Sequence, residues 1–136
     1  MSEFHQVLWV GLDVGSTTVK LAVVDPTDGA LLHSRYRRHN AHQSLLVREF
    51  LEEAHAKFPG SSFRVAVCGS GGAPFARTLG GFFVQEVVAN SLAVRRMHPS
   101  TRVAIELGGQ DAKVVFFETD PVTGRLLASD MRMNGV

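Results

Sequence analysis

VGLDVGSTTVKLAVVDP, residues 10–26, sets an aspartate, a glycine, three hydroxyl side chains and a lysine between two apolar runs. Residues 7–12 are apolar and rich in β-branched and aromatic side chains, the pattern of a buried strand. Residues 13–18 read as a turn and residues 19–24 as a second strand, stopped at Asp25-Pro26-Thr27-Asp28-Gly29. Residues 30–37 make a third strand, so the chain opens as an antiparallel meander. A hairpin needs only Gly and perhaps Asp; the hydroxyls and the cation call for a further reason.

The rest of the chain alternates helices and strands. Leu45, Leu46, Phe50, Leu51 and Ala54 follow helical spacing, predicting an amphipathic helix over residues 42–57 that ends at Pro59-Gly60. A short strand is expected at 63–68, a glycine turn at 69–72, a helical turn at 74–79 and a strand at 82–84. A helix follows at 87–97. Strands at 101–107, 113–118 and 125–131 are separated by a glycine turn at 108–111 and by Asp120-Pro121-Val122-Thr123-Gly124.

The 136 residues suit an ordinary globular body, 45% hydrophobic and 20% charged. Fourteen Lys and Arg against thirteen Asp and Glu leave a net charge of +1, no electrostatic argument for nucleic acid or an anionic membrane. The basic run Arg35, Arg37, Arg38, His39 reads as a solvated strand end rather than a binding patch. Cys68 is the sole cysteine, so neither an internal disulfide nor an all-cysteine metal site fits one chain. It reads as a small buried residue at a strand end rather than a cluster ligand. The six histidines (5, 33, 39, 42, 55 and 98) lack close metal-ligand spacing and read as surface or helix-face residues. No apolar run approaches the roughly 20 residues of a membrane span and MSEFHQ has no signal-peptide layout, so a cytoplasmic protein is expected.

The opening turn has the chemistry of a phosphate cradle. Gly15 would supply left-handed dihedrals and close approach, and successive N–H groups would point into one concavity. Ser16, Thr17 and Thr18 add hydroxyls and Lys20 a positive charge. Asp13 would repel a phosphate unless a hydrated Mg²⁺ joined them. The alternative is a hairpin whose Asp and Ser bond only their own backbone. A second turn, Glu106-Leu107-Gly108-Gly109-Gln110-Asp111, echoes the first as strand, acid, glycine, lysine, strand. Two such hairpins could clamp a phosphate chain, with Glu106 on metal-bound water and Gln110 positioning the attacking water.

Asp13-x-Gly15-Ser16-Thr17-x-x-Lys20 resembles the first phosphate loop of the actin, heat-shock chaperone and sugar-kinase ATPases. GLDVGSTTVK together with ELGGQDAK and the terminal MRMNGV resembles more closely the ATPase family of 2-hydroxyacyl-CoA dehydratase activators and benzoyl-CoA reductase ATP-binding subunits. The resemblance runs over essentially the whole chain but over about half of that family's fold. It implies an α/β architecture: a ribonuclease H-like (actin-like ATPase) first lobe, residues 1–99, and the opening β-meander of a second lobe, residues 100–136. It implies ATP or ADP with Mg²⁺, a first phosphate loop of Asp13, Gly15, Ser16, Thr17, Thr18 and Lys20, and a second of Glu106, Gly108, Gly109, Gln110 and Asp111. Asp13, Glu106 and Asp111 are then the metal-side acids. Glu86 matches an acid that helps place metal or water, and Cys68-Gly69-Ser70-Gly71 matches the turn after the fourth strand.

The chain departs from the family pattern in three places. Glu106 replaces the usual Asp, and Asn90 stands where a His is frequent. The sequence stops at Val136, before the cysteine that helps hold a [4Fe–4S] cluster between two subunits and before the adenosine-binding segment. A shortened chain, or the N-terminal piece of a longer protein, is therefore expected, binding nucleotide weakly and not turning it over by itself. The cluster would belong to the parent protein only. The implied activity is ATP-driven transfer of a low-potential electron into a 2-hydroxyacyl-CoA dehydratase or related CoA-ester reductase. A small-molecule kinase of the same superfamily and a nucleotide-sensing module without turnover are the alternatives. The apolar face of Val103, Ile105, Val114 and Phe116 is expected to be partly uncovered, favouring a homodimer or strand exchange between copies.

Overall fold

In a computed structural model, residues 6–134 are described. His5, and Gly135 and Val136 of the terminal motif, lie outside them. The chain divides into two compact units, residues 1–84 and 85–136.

The first unit is built on a five-stranded sheet of order β3-β2-β1-β4-β5. Its elements are β1 (Val7–Val14), β2 (Thr18–Val24), β3 (Leu31–Arg38), helix α1 (Gln43–Lys57), β4 (Ser62–Cys68), helix α2 (Gly72–Leu79) and β5 (Phe82–Phe83). β1, β2 and β3 form the expected antiparallel meander, and β4 joins β1 in parallel. Period-two alternation sends Leu8, Val10, Leu12 and Val14 of β1 to one face with Val19, Leu21 and Val23 of β2. Leu46, Val47, Phe50 and Ala54 of α1, Val67 of β4 and Ala76 of α2 complete this core. Each of the larger side chains contributes about 1.5–3 kcal/mol of burial. The helix face is rotated slightly from the expected one: Val47 is buried and Leu45 is 64% exposed, because the stripe 46, 47, 50, 54 lines up on one side at 3.6 residues per turn.

The basic run on β3 is exposed, as expected of a solvated strand end, and two of its arginines are paired. Arg35 pairs with Glu53 and Arg37 with Glu49, both acids on α1. His39 continues that alternation and is buried, correcting its reading as a surface residue. His33 also reaches Glu53, at 3.4 Å.

The second unit comprises helix α3 (Glu86–Met97) and an antiparallel sheet of order β6-β7-β8, with strands Val103–Leu107, Ala112–Thr119 and Leu126–Met133. Val115, Phe117 and Leu126 form its core, with Val87, Val94 and Ala104 packed against them. Helix α3 is thus grouped with the later strands, not with the preceding ones as the expected boundary near residue 99 would have it. Two of its polar side chains are bonded to β6 and β7, as described below. On the opposite sheet face Val103 and Ile105 are 45% and 67% exposed. No described helix is long and apolar enough to cross a membrane.

One turn holds the end of β4 against β1. Gly69 has φ +94°, and a Cβ there would lie 2.3 Å from the Val14 carbonyl oxygen. Gly69→Ala should lower the unfolding free energy of the first unit by about 2–4 kcal/mol. Urea unfolding followed by the fluorescence of Trp9 measures this; an unchanged midpoint would contradict the packing described.

Candidate functional site

Each acidic hairpin carries the same construction. In the first, Asp13 of β1 stands directly opposite Lys20 of β2, and their side chains pair at 2.6 Å. In the second, Glu106 of β6 stands directly opposite Lys113 of β7, with 3.6 Å between charged groups. The glycine two residues after the acid donates its N–H three residues on in both turns: Gly15 to Thr18 O at 2.9 Å, Gly108 to Asp111 O at 2.8 Å. The faint sequence echo is therefore a repeat of register and hydrogen bonding.

In the first turn, Asp13 Oδ2 takes the lysine while Asp13 Oδ1 is buried without a hydrogen-bond partner. An unpartnered buried carboxylate oxygen is costly, and a cation or its water is a fitting occupant. Burial opposes the charge on Lys20, but the hydrogen bond and charge of Asp13 prevail and raise its pKa. The lysine side chain remains 44% exposed, leaving donors for an anion. Gly15 is not left-handed, correcting that expectation. The bond from its N–H to Thr18 closes the turn in ordinary dihedral space, and the positive φ falls instead at Gly69. Ser16 and Thr17, half-buried at the tip, present amides that no described backbone carbonyl takes. Thr18 is buried at the start of β2.

In the second turn, Gly108, Gly109 and Gln110 are exposed. The acids converge on Lys113, which is 8% exposed: Glu86 lies at 2.7 Å, Asp111 at 3.2 Å and Glu106 at 3.6 Å. The hydrogen bond that Lys113 donates to Glu86, together with Asp111 and the charge of Glu106, outweighs burial and holds the ammonium protonated well above the usual lysine range. Glu106 is fixed from its other side by Asn90 Nδ2, which donates at 2.7 Å. Glu86 and Asn90 are one helical turn apart on α3, so one face reaches both partners. No cluster of three or more His, Cys, Asp or Glu side chains poised for a metal occurs among the described residues. The residues fit Mg²⁺ at Asp13 Oδ1, whereas Glu106 and Asp111 already face a resident ammonium.

Sequence reading missed Lys113 and Asn90 as site residues, and His39 and Gln43, whose side-chain nitrogens lie 3.3 and 3.5 Å from Gly15 O. The equal acid-to-lysine spacing in both hairpins would have signalled Lys113.

No protein-family model matches the chain, and no curated protein matches it. Solved structures do. The activator of the 2-hydroxyisocaproyl-CoA dehydratase from Clostridium difficile, with bound ADPNP, is 25% identical at a TM-score of 0.70, matched over 93% of this chain and 45% of its own. The (R)-2-hydroxyglutaryl-CoA dehydratase component A of Acidaminococcus fermentans is 21% identical at 0.71, over 94% and 47%. The ethanolamine utilization protein EutJ of Carboxydothermus hydrogenoformans is 17% identical at 0.61, over 92% and 50%. The chain has the actin-like ATPase fold. The last two likenesses bear on the fold alone. The expected resemblance to dehydratase activators is thus met among solved structures, and the chain spans about half the length of those it matches.

Replacing Lys113 should expose the cost of the three acids around it. Lys113→Met is expected to lose about 1–3 kcal/mol at pH 7, less than a fully buried pair because the carboxylates are partly solvated. In the native chain the raised lysine pKa makes its contribution complete below about pH 10.4 and lost only as pH rises further. Urea unfolding by circular dichroism at pH 7 compares the two proteins, and equal stability there would contradict it.

Proposed function

We propose that this chain carries the two phosphate loops of an ATP-hydrolysing activator that drives a low-potential electron into a 2-hydroxyacyl-CoA dehydratase or a related CoA-ester reductase. The observation that supports it most is the repeated acid–glycine–lysine hairpin, together with the likeness to a dehydratase activator solved with ADPNP. On this reading the Ser16 and Thr17 amides, the hydroxyls of Ser16, Thr17 and Thr18, and Lys20 bind phosphate oxygens. Asp13 Oδ1 would hold a Mg²⁺, which when bound would neutralise phosphate charge. Gly108 and Gly109 leave the second turn open to phosphate oxygens. Glu106 and Gln110 hold the attacking water, with Glu86 and Asp111 setting the local charge through Lys113. Hydrolysis then gives ADP and phosphate, the water proton leaving through the carboxylate side to solvent.

The [4Fe–4S] cluster implied by the resemblance would take its ligands outside these 136 residues, where Cys68 is the sole cysteine. The dehydratase partner is proposed on the same ground, as is a cytoplasmic setting. We also propose that copies associate through the exposed β6 face of Val103, Ile105 and Leu107. Sedimentation should then give a mass that rises with concentration; a constant monomer mass would contradict it.

Calorimetric titration with Mg·ADPNP tests the nucleotide site. Binding is expected for the wild type, and Asp13→Asn should weaken it by ~10–100-fold in the presence of Mg²⁺, as loss of a metal-side group does. Unchanged affinity in that variant would remove Asp13 from the site.

A further inference from the structure

We infer that His39 is a positioning residue for the first phosphate loop, acting through the Gly15 carbonyl. This rests on the nucleotide reading of that loop. His39 follows β3 and is 7% exposed, with four hydrogen-bonding groups engaged locally. Its backbone N–H donates to Thr17 O at 3.1 Å, and its carbonyl accepts the His42 N–H at 2.8 Å. Nδ1 accepts the Ala41 N–H at 3.0 Å. That contact makes Nδ1 an acceptor, so the ring proton of the neutral imidazole sits on Nε2, which then donates to Gly15 O at 3.3 Å. Two of the four bonds thus enter the loop, at Gly15 and Thr17.

The consequence follows from the planarity of the peptide. In a trans peptide the C=O and the next N–H point in opposite directions. Holding Gly15 O toward His39 therefore directs the Ser16 N–H away from it, and no described backbone carbonyl takes that N–H. Gln43 Nε2, 3.5 Å from the same oxygen, supports the same orientation from α1. The arrangement is imposed at some backbone cost: Asn40 and Ala41 both have positive φ, 47° and 65°, uncommon for residues with a Cβ. The Ala41 turn is what aims its N–H at Nδ1. An open loop tip with one amide pre-aimed is what an anion site requires, since no peptide must rotate when the anion arrives.

Nitrogen-15 NMR of the wild-type chain should show His39 as the Nε2–H tautomer. Titration with Mg·ADPNP should then give a Kd about tenfold weaker in His39→Phe, which keeps the bulk and loses both ring bonds. His39→Gln, whose side-chain amide can donate to Gly15 O, should restore affinity to within about threefold of wild type; a residue that merely fills space would not discriminate these two. An Nδ1–H tautomer, or equal affinity in the Phe and Gln variants, overturns the inference while leaving the site standing. If His39→Phe does not fold, the tautomer decides. A wild-type chain that takes no Mg·ADPNP at millimolar concentration overturns the nucleotide reading and the loop's proposed purpose with it, whatever the tautomer.

Discussion

An ammonium held against carboxylates at the mouth of a hairpin is the interaction on which both candidate loops depend. A buried or half-buried lysine is tolerated only with a partner, and an acid beside it is tolerated for the same reason. In the first hairpin the match is one to one, Lys20 with Asp13, and it leaves the second carboxylate oxygen unpartnered. In the second, one lysine gathers three acids and is used up by them. The two loops therefore share a skeleton but differ in what remains available: a carboxylate oxygen and a partly exposed ammonium in one, an exposed Gly-Gly-Gln tip in the other.

The bodies that carry these loops are stabilised unequally. The first hairpin continues β1 and β2, whose alternate side chains form most of a core closed by α1, β4 and α2. The second rests on a sheet with a small core, covered on one face by α3. There the polar contacts of Glu86 and Asn90 bear more of the organisation, because little apolar area is available to position the helix. Local opening is accordingly expected to start in the second unit.

Much of this was legible in the sequence. Apolar, β-branched runs at residues 7–12 and 19–24 and the turn residues that follow each specify the meander, and the helices and later strands fall within one or two residues of expectation. Readings that failed share one cause: they depended on what lies across the fold. The burial of His39 is decided by β3 alternation meeting α1, not by local composition. The allegiance of α3 is decided by Lys113, twenty-seven residues after Glu86. Gly15 looked like the left-handed residue of its turn, yet that conformation belongs to Gly69, where β4 passes Val14. Leu45 was placed on the helical stripe, yet it is exposed and Val47 takes the buried position against the sheet.

The central claim is that the two hairpins act on one kind of ligand, the phosphates of a nucleotide. Amide shift mapping of the nitrogen-15-labelled chain during titration with Mg·ADPNP tests it most directly. The account predicts that residues 15–18 and residues 108–111 each shift as nucleotide is added. Shifts confined to surfaces away from both turns, or none at millimolar nucleotide, would contradict it.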